Sequence, residues 1–141
     1  GIRDDVESRG SEMCIRDRAN AAFLSSVGIF FPFLISAILK TAQGSSTVAI
    51  TTTAGIMGMY TDSASMMSAL GLQSEMAALL TVMAIGAGAM TVSHANDSYF
   101  WVVTNFTGLD PQDGYRTQSM MTLVVGIVSM VSIFLASLVL L

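Results

Sequence analysis

From residue 19 to residue 141 the chain carries seven charged side chains: Lys40, Asp62, Glu75, Asp97, Asp110, Asp113 and Arg116. About a quarter of a typical soluble domain is Asp, Glu, Lys or Arg, and no water-facing surface can be built from so few. The uncharged stretches at 19–39, 41–61, 76–93 and 117–141 are each long. A helix rising about 1.5 Å per residue crosses a hydrocarbon core of roughly 30 Å in about twenty residues. The chain therefore reads as an all-α, polytopic integral membrane protein, with spans expected at about 19–40, 76–93 and 117–141. Lys40 closes the first span and is expected to snorkel to the interface. Pro32 removes a backbone donor inside that span and is expected to kink it. In the second span Ala84 and Gly88, four apart, would let a neighbouring helix come close. The methionines, 11 in all, read as gap-filling side chains rather than ligands.

Residues 41–61 have the length of a span but the wrong chemistry. They hold Thr41, Gln43, Ser45, Ser46, Thr47, Thr51, Thr52 and Thr53, with glycines at 44, 55 and 58. Irregular backbone at membrane depth is tolerated where it is buried in protein or lines a wet cavity. A discontinuous or re-entrant helix is expected here, broken near Gly44, with Gln43, Thr47 and Thr51 sharing one face. The alternative is an ordinary span whose hydroxyls bond back to their own helix. A helix start at the break presents free N–H groups and a positive dipole end, which suit an anion. Gln43, Gly44, Ser45, Ser46, Thr47 and Thr51 are thus candidate binding residues for a small hydroxylated carboxylate.

The second polar stretch, Ser93-His94-Ala95-Asn96-Asp97-Ser98, lies between apolar runs and holds the chain's one histidine. Ionisable groups at such depth are costly and usually functional. Burial favours the neutral form of an aspartate, and histidine titrates near neutrality. Asp97 and His94 are therefore candidate proton carriers, with Asn96 suited to substrate hydroxyls. The bland alternative pairs His94 with Asp97 at the membrane surface. A Ser93–His94–Asp97 hydrolytic triad is rejected: three groups within five residues rarely reach triad geometry, and no Gly-x-Ser-x-Gly elbow is present. A short helix is expected at about 98–107, and residues 108–114 read as a turn bounded by Gly and Pro.

Other classes are excluded more simply. No basic patch suits nucleic acid, and Cys14 alone forms neither an internal disulfide nor a metal cluster. Residues 1–18 hold the other nine charges. The run Met13-Cys14-Ile15-Arg16-Asp17-Arg18 resembles translated adaptor or vector sequence, so 1–18 is read as a non-native tail of sequencing or assembly origin. A solvated loop is the alternative. Beginning at Gly1, the chain is read as a fragment.

Two signatures carry a family resemblance. Ala42-Gln43-Gly44-Ser45-Ser46-Thr47-Val48-Ala49 with Thr52-Thr53-Ala54-Gly55 resembles one motif of the gluconate permease family. Gly86-Ala87-Gly88-Ala89 leading into Ser93-His94-Ala95-Asn96-Asp97-Ser98-Tyr99-Phe100-Trp101 resembles another, and the turn at 107–110 with the final apolar run resembles the family's C-terminus. The resemblance covers residues 19–141 and implies the C-terminal portion of a longer transporter. It implies proton-coupled uptake of gluconate or a related sugar acid across the bacterial inner membrane, without enzymatic activity and with no cofactor beyond the coupling proton. It also implies inverted repeats with re-entrant hairpins, this chain supplying most of one repeat, and partners comprising lipid, the rest of the transporter and a second copy in a homo-oligomer. The competing class is a membrane scaffold whose polar residues hold helices together; a passive channel is a third.

Overall fold

A computed structural model describes residues 27–140. The tail read at 1–18 and the start of the span expected at 19–40 lie outside the described residues. Every regular element among the described residues is helical: α1 (Phe30–Gln43), α2 (Ser46–Met57), α3 (Met66–Ala69), α4 (Glu75–Met90), α5 (Ser98–Thr107), α6 (Pro111–Gly114) and α7 (Met120–Leu140). A π-helical turn, Tyr115–Ser119, fuses α6 to α7.

Helical bonding lapses at Ile29, one turn before Pro32. Pro32 has no N–H to offer the Gly28 carbonyl, so it falls in the first turn of α1, where that donor is not needed. The helix stops where Gly44 turns left-handed (φ 72°) and returns its N–H to the Lys40 carbonyl. Ser45 then caps α2, its hydroxyl accepting from the Val48 N–H at 3.4 Å.

α2 does not continue α1 but folds back on it. Met57 at its end and Ile29 ahead of α1 belong to one buried cluster with Met67, Leu72, Leu80, Ile85 and Met130. A straight continuation would separate Met57 from Ile29 by about 40 Å. α1 and α2 thus form a helical hairpin with its tip at Gly44 and Ser45, which places the helix break where it was expected, near Gly44. The threonines of 41–61 are tolerated because several satisfy themselves: Thr41 donates to the Ala37 carbonyl, Thr51 to Thr47 and Thr53 to Ala49, at 2.7–2.9 Å.

Ser74 caps α4, accepting from the Ala77 N–H at 3.0 Å, and Glu75 sits at the positive end of the helix dipole. With 16 residues, about 24 Å, α4 ends at Met90 and falls short of the span expected at 76–93. Its small residues act as the spacing suggested. Ala84 and Gly88 are buried, a side chain at 88 would collide with the Phe33 carbonyl, and Ser36 of α1 donates to the Ile85 carbonyl at 2.8 Å.

The turn expected at 108–114 is only half a turn. Gly108 closes α5 left-handed, but Pro111 opens the next helix, where its fixed φ and missing N–H cost nothing. Gly114 lies inside that helix, at a position where a side chain would strike Thr104 and Phe100. The result is a continuous rod, Pro111–Leu140, of 30 residues with mean hydropathy 2.7 in its most apolar part. At about 45 Å it is longer than the span expected at 117–141, and it is the one helix among the described residues long and apolar enough to cross a membrane by itself. It runs back along α4 and α1, bringing Phe134 to 5.3 Å from Phe30. Its outward side chains, including Val124, Val128, Val131 and Leu135, are exposed, a surface suited to lipid or further helices.

Candidate functional site

Two interruptions of helical structure meet. One is the hairpin tip at Gly44 and Ser45; the other is the non-helical stretch 91–97 between α4 and α5. A Cβ on Gly44 would overlap the Asn96 carbonyl, and Asn96 Nδ2 donates to the Ala42 carbonyl at 2.9 Å. The two polar stretches singled out in the sequence are therefore in direct contact.

At the centre, Lys40 Nζ lies 2.7 Å from Asp97 Oδ2, with both side chains buried. Ser93 Oγ donates to the same carboxylate oxygen at 2.9 Å. The other oxygen, Oδ1, accepts from the Tyr99 N–H at 3.2 Å, so Asp97 is also the N-cap of α5. Lys40 Nζ makes a long bond to the Gly44 carbonyl at 3.4 Å. Sequence reasoning expected Lys40 to snorkel outward; instead it is 2% exposed. α1 carries on past Lys40 to Gln43, so Lys40 is not the last residue of the helix, and its ammonium pairs with Asp97.

The long helix fastens the stretch from the other side. Thr122 Oγ1 accepts from the Ser93 N–H at 3.1 Å, Ser119 donates to the Ser93 carbonyl, and the Tyr115 hydroxyl accepts from the Ala95 N–H at 3.2 Å. Trp101 of α5 donates its indole N–H to the Ala95 carbonyl at 2.7 Å. These anchors leave a cavity of about 190 Å³ lined by Lys40, Ser46, Met90, Ser93, Asp97, Tyr99 and Thr122.

The predicted residues are distributed unevenly around it. Asp97 and Ser46 line the cavity. Gly44 shapes the tip, and Ser45 is spent on capping. Gln43, Thr47 and Thr51 are exposed, and so is Asn96. Gln43 does not share a helical face with Thr47 and Thr51, because Gly44 and Ser45 interrupt the register between them. His94 does not pair with Asp97; its Nδ1 is buried without a partner among the described residues. Ser93 bonds Asp97 directly, with no imidazole between them, an order no hydrolytic triad has. Lys40, Tyr115, Ser119 and Thr122 were missed. One signal was available: Lys40 is the only cation between Arg18 and Arg116, and Asp97 the only acid between Glu75 and Asp110. Two lone opposite charges in apolar sequence invite pairing.

Comparison with known proteins supplies the context. The sequence profile of the GntP family permeases matches residues 17–139. The chain is 38% identical over 94 residues to the inner membrane permease YgbN of Escherichia coli, covering 67% of this chain and 19% of that protein. It is 35% identical over 112 residues to the gluconate permease of Pseudomonas aeruginosa (79% and 23%). With the gluconate permease of Bacillus subtilis it shares 32% over 111 residues (79% and 22%). The chain thus spans about a fifth of the length of the curated relatives it matches. No solved structure matches it.

Proposed function

The chain belongs to the GntP permease family, and on that footing we propose that its full-length protein carries gluconate or a related sugar acid, together with protons, across the bacterial inner membrane. Membership in a permease family speaks for a membrane transporter rather than an enzyme. Relatives named gluconate permeases support the choice of substrate, and a relative named as an inner membrane permease supports the location. The observation that carries the reading is the contact between two helix breaks around a buried ion pair and a cavity. Measured along the rod from Pro111, Ser119 and Thr122 lie about 12–17 Å in, which supports a site at membrane depth. Transporters commonly bind substrate at discontinuous helices in that position.

In this reading the sugar-acid carboxylate docks at the start of α2. The N–H groups of Ser46 and Thr47 have no acceptor inside their helix, and Ser46 lines the cavity. Gln43, Thr47, Thr51 and Asn96, on the open side of the tip, engage the hydroxyl groups. Asp97 binds and releases the coupled proton, with His94 as a nearby second titratable group. A cavity of about 190 Å³ is smaller than the roughly 300–1,000 Å³ of whole ligand pockets, so the rest of the transporter completes the site, an inverted repeat packing against this one.

The test is uptake of labelled gluconate into proteoliposomes holding the full-length permease, with and without an imposed inward proton gradient. Gradient-driven accumulation is expected, and Ser46→Ala with Thr47→Ala should weaken apparent affinity. Unchanged affinity in that double variant would remove the docking assignment. No uptake of gluconate or other sugar acids would return the scaffold reading.

A further inference from the structure

We propose that Lys40 receives the substrate's carboxylate and that Asp97 gives Lys40 up by taking the coupled proton, so that one ammonium group serves two anions in turn. This rests on the transport reading above and assigns a role to Lys40, which neither the sequence motifs nor the relatives' names single out.

The geometry supports an exchange. Lys40 offers three donors; among the described residues two have acceptors, Asp97 Oδ2 at 2.7 Å and the Gly44 carbonyl at 3.4 Å. The cavity is lined by Lys40, Ser46 and Asp97 together, so an anion at the start of α2 lies beside the ammonium. Once protonated, Asp97 keeps most of its other contacts. Its Oδ1 still accepts from Tyr99, and its new O–H can donate to Ser93 Oγ, reversing the bond that Ser93 now makes. What the neutral acid loses is the ion pair, and the substrate carboxylate replaces it.

Charge accounting says why the steps are coupled. The empty site holds one cation and one anion. The loaded site holds Lys40 paired with the substrate and a neutral Asp97, so it too is neutral. Substrate without the proton would set two carboxylates against one ammonium, and the proton without substrate would leave Lys40 bare. Both carry an uncompensated buried charge, which is strongly unfavourable. The residues that line the cavity with Asp97 allow this balance: Lys40 from α1, Ser46 from α2, Met90 at the end of α4, Tyr99 from α5, Thr122 from the rod, and Ser93 within the break. His94 is three residues away on the same break, and Tyr115 is engaged with the Ala95 N–H. Among the described residues no other Asp, Glu, Lys or Arg lines the cavity.

The experiment measures labelled gluconate–gluconate exchange and net uptake in proteoliposomes of the full-length permease. In the wild type, apparent affinity should weaken about tenfold per pH unit once Asp97 is ionised, as one-proton linkage requires. Whatever exchange Asp97→Asn supports should lack that pH dependence, and gradient-driven accumulation should be lost. Asparagine is as good an N-cap as aspartate, so α5 keeps its start. Lys40→Met should weaken affinity roughly 100-fold, the scale of losing a buried charge partner. As a second measurement on the wild type, a membrane potential without a pH gradient should drive no accumulation, because the site carries one proton per monocarboxylate. The proposal is overturned if Asp97→Asn retains the wild-type pH dependence, if Lys40→Met binds normally, or if potential alone drives uptake. A wild type that carries no sugar acid overturns the transport reading itself, and this proposal with it.

Discussion

Gly44 and Asn96 approach until no side-chain carbon fits between them: a Cβ on Gly44 would overlap the Asn96 carbonyl, while the Asn96 amide bonds the Ala42 carbonyl on the same tip. This contact holds the hairpin tip on the α4–α5 break and so fixes where Lys40 meets Asp97.

Gly44→Ala should therefore destabilise the protein. Left-handed backbone costs a non-glycine residue about 1–2 kcal/mol, and the collision adds to that. Gly55→Ala and Gly86→Ala are the controls: a Cβ at either meets nothing within 4 Å, and alanine favours a helix over glycine by up to about 1 kcal/mol. Thermal unfolding of the full-length permease in detergent ranks the three. A Gly44→Ala variant that melts with the wild type would mean that the tip contact does not form.

The buried ion pair predicts non-additivity. Lys40→Met leaves a buried carboxylate without its cation, a loss on the order of 3–5 kcal/mol. Adding Asp97→Asn removes the stranded charge and should restore part of the stability. A double-mutant cycle on denaturation midpoints measures the coupling. If the single losses simply add, the two side chains do not interact.

The packing of α1 on α4 depends on Gly88, whose missing side chain makes room for the Phe33 carbonyl and leaves Ser36 Cβ 3.0 Å from where a Cβ would be. Gly88→Leu should cost at least about 1–3 kcal/mol as overpacking, in contrast to the tolerant Gly86. A melting temperature equal to that of the wild type would place these helices further apart.

Two tyrosines near the break should behave differently. Tyr115→Phe strips the acceptor from the Ala95 N–H, a loss of about 1 kcal/mol. Tyr99 is about half exposed, and Tyr99→Phe should stay within roughly 0.5 kcal/mol. Equal effects in chemical unfolding would deny Tyr115 its anchoring role.

The exposed polar residues of the tip give a readout of the substrate path. In a full-length permease whose other cysteines have been replaced, Gln43→Cys, Thr47→Cys and Thr51→Cys should each react with a water-soluble maleimide, and gluconate should slow the reaction. Labelling that ignores gluconate at all three positions would take them out of the binding site.

Hydropathy and local backbone chemistry made much of this protein legible. Uncharged length marked the rod ending at Leu140, and Gly44 among hydroxyls marked a helix break. Ala84 and Gly88 marked a close helix contact, and Ser93 to Asp97 marked a second break. Each of these follows from a few neighbouring residues, because capping, glycine geometry and apolar length act within a turn or two. Pro111 misled for the same local reason: it stops one helix or starts the next, and only its position at the first turn of the rod decides which.

The pairing of the two breaks was not legible, because it joins residues such as Ala42 and Asn96 that lie 54 positions apart. Whether α2 extends α1 or folds back on it depends on which buried surfaces Met57 and Ile29 find. That choice of packing turns Lys40 inward to Asp97 and leaves Gln43, Thr47 and Thr51 on the open side. A lysine at the end of an apolar run meets the same local rules whether it reaches for water or for a carboxylate. What settles the matter is the lower free energy of a buried ammonium with a partner at 2.7 Å, and only the folded chain supplies that partner.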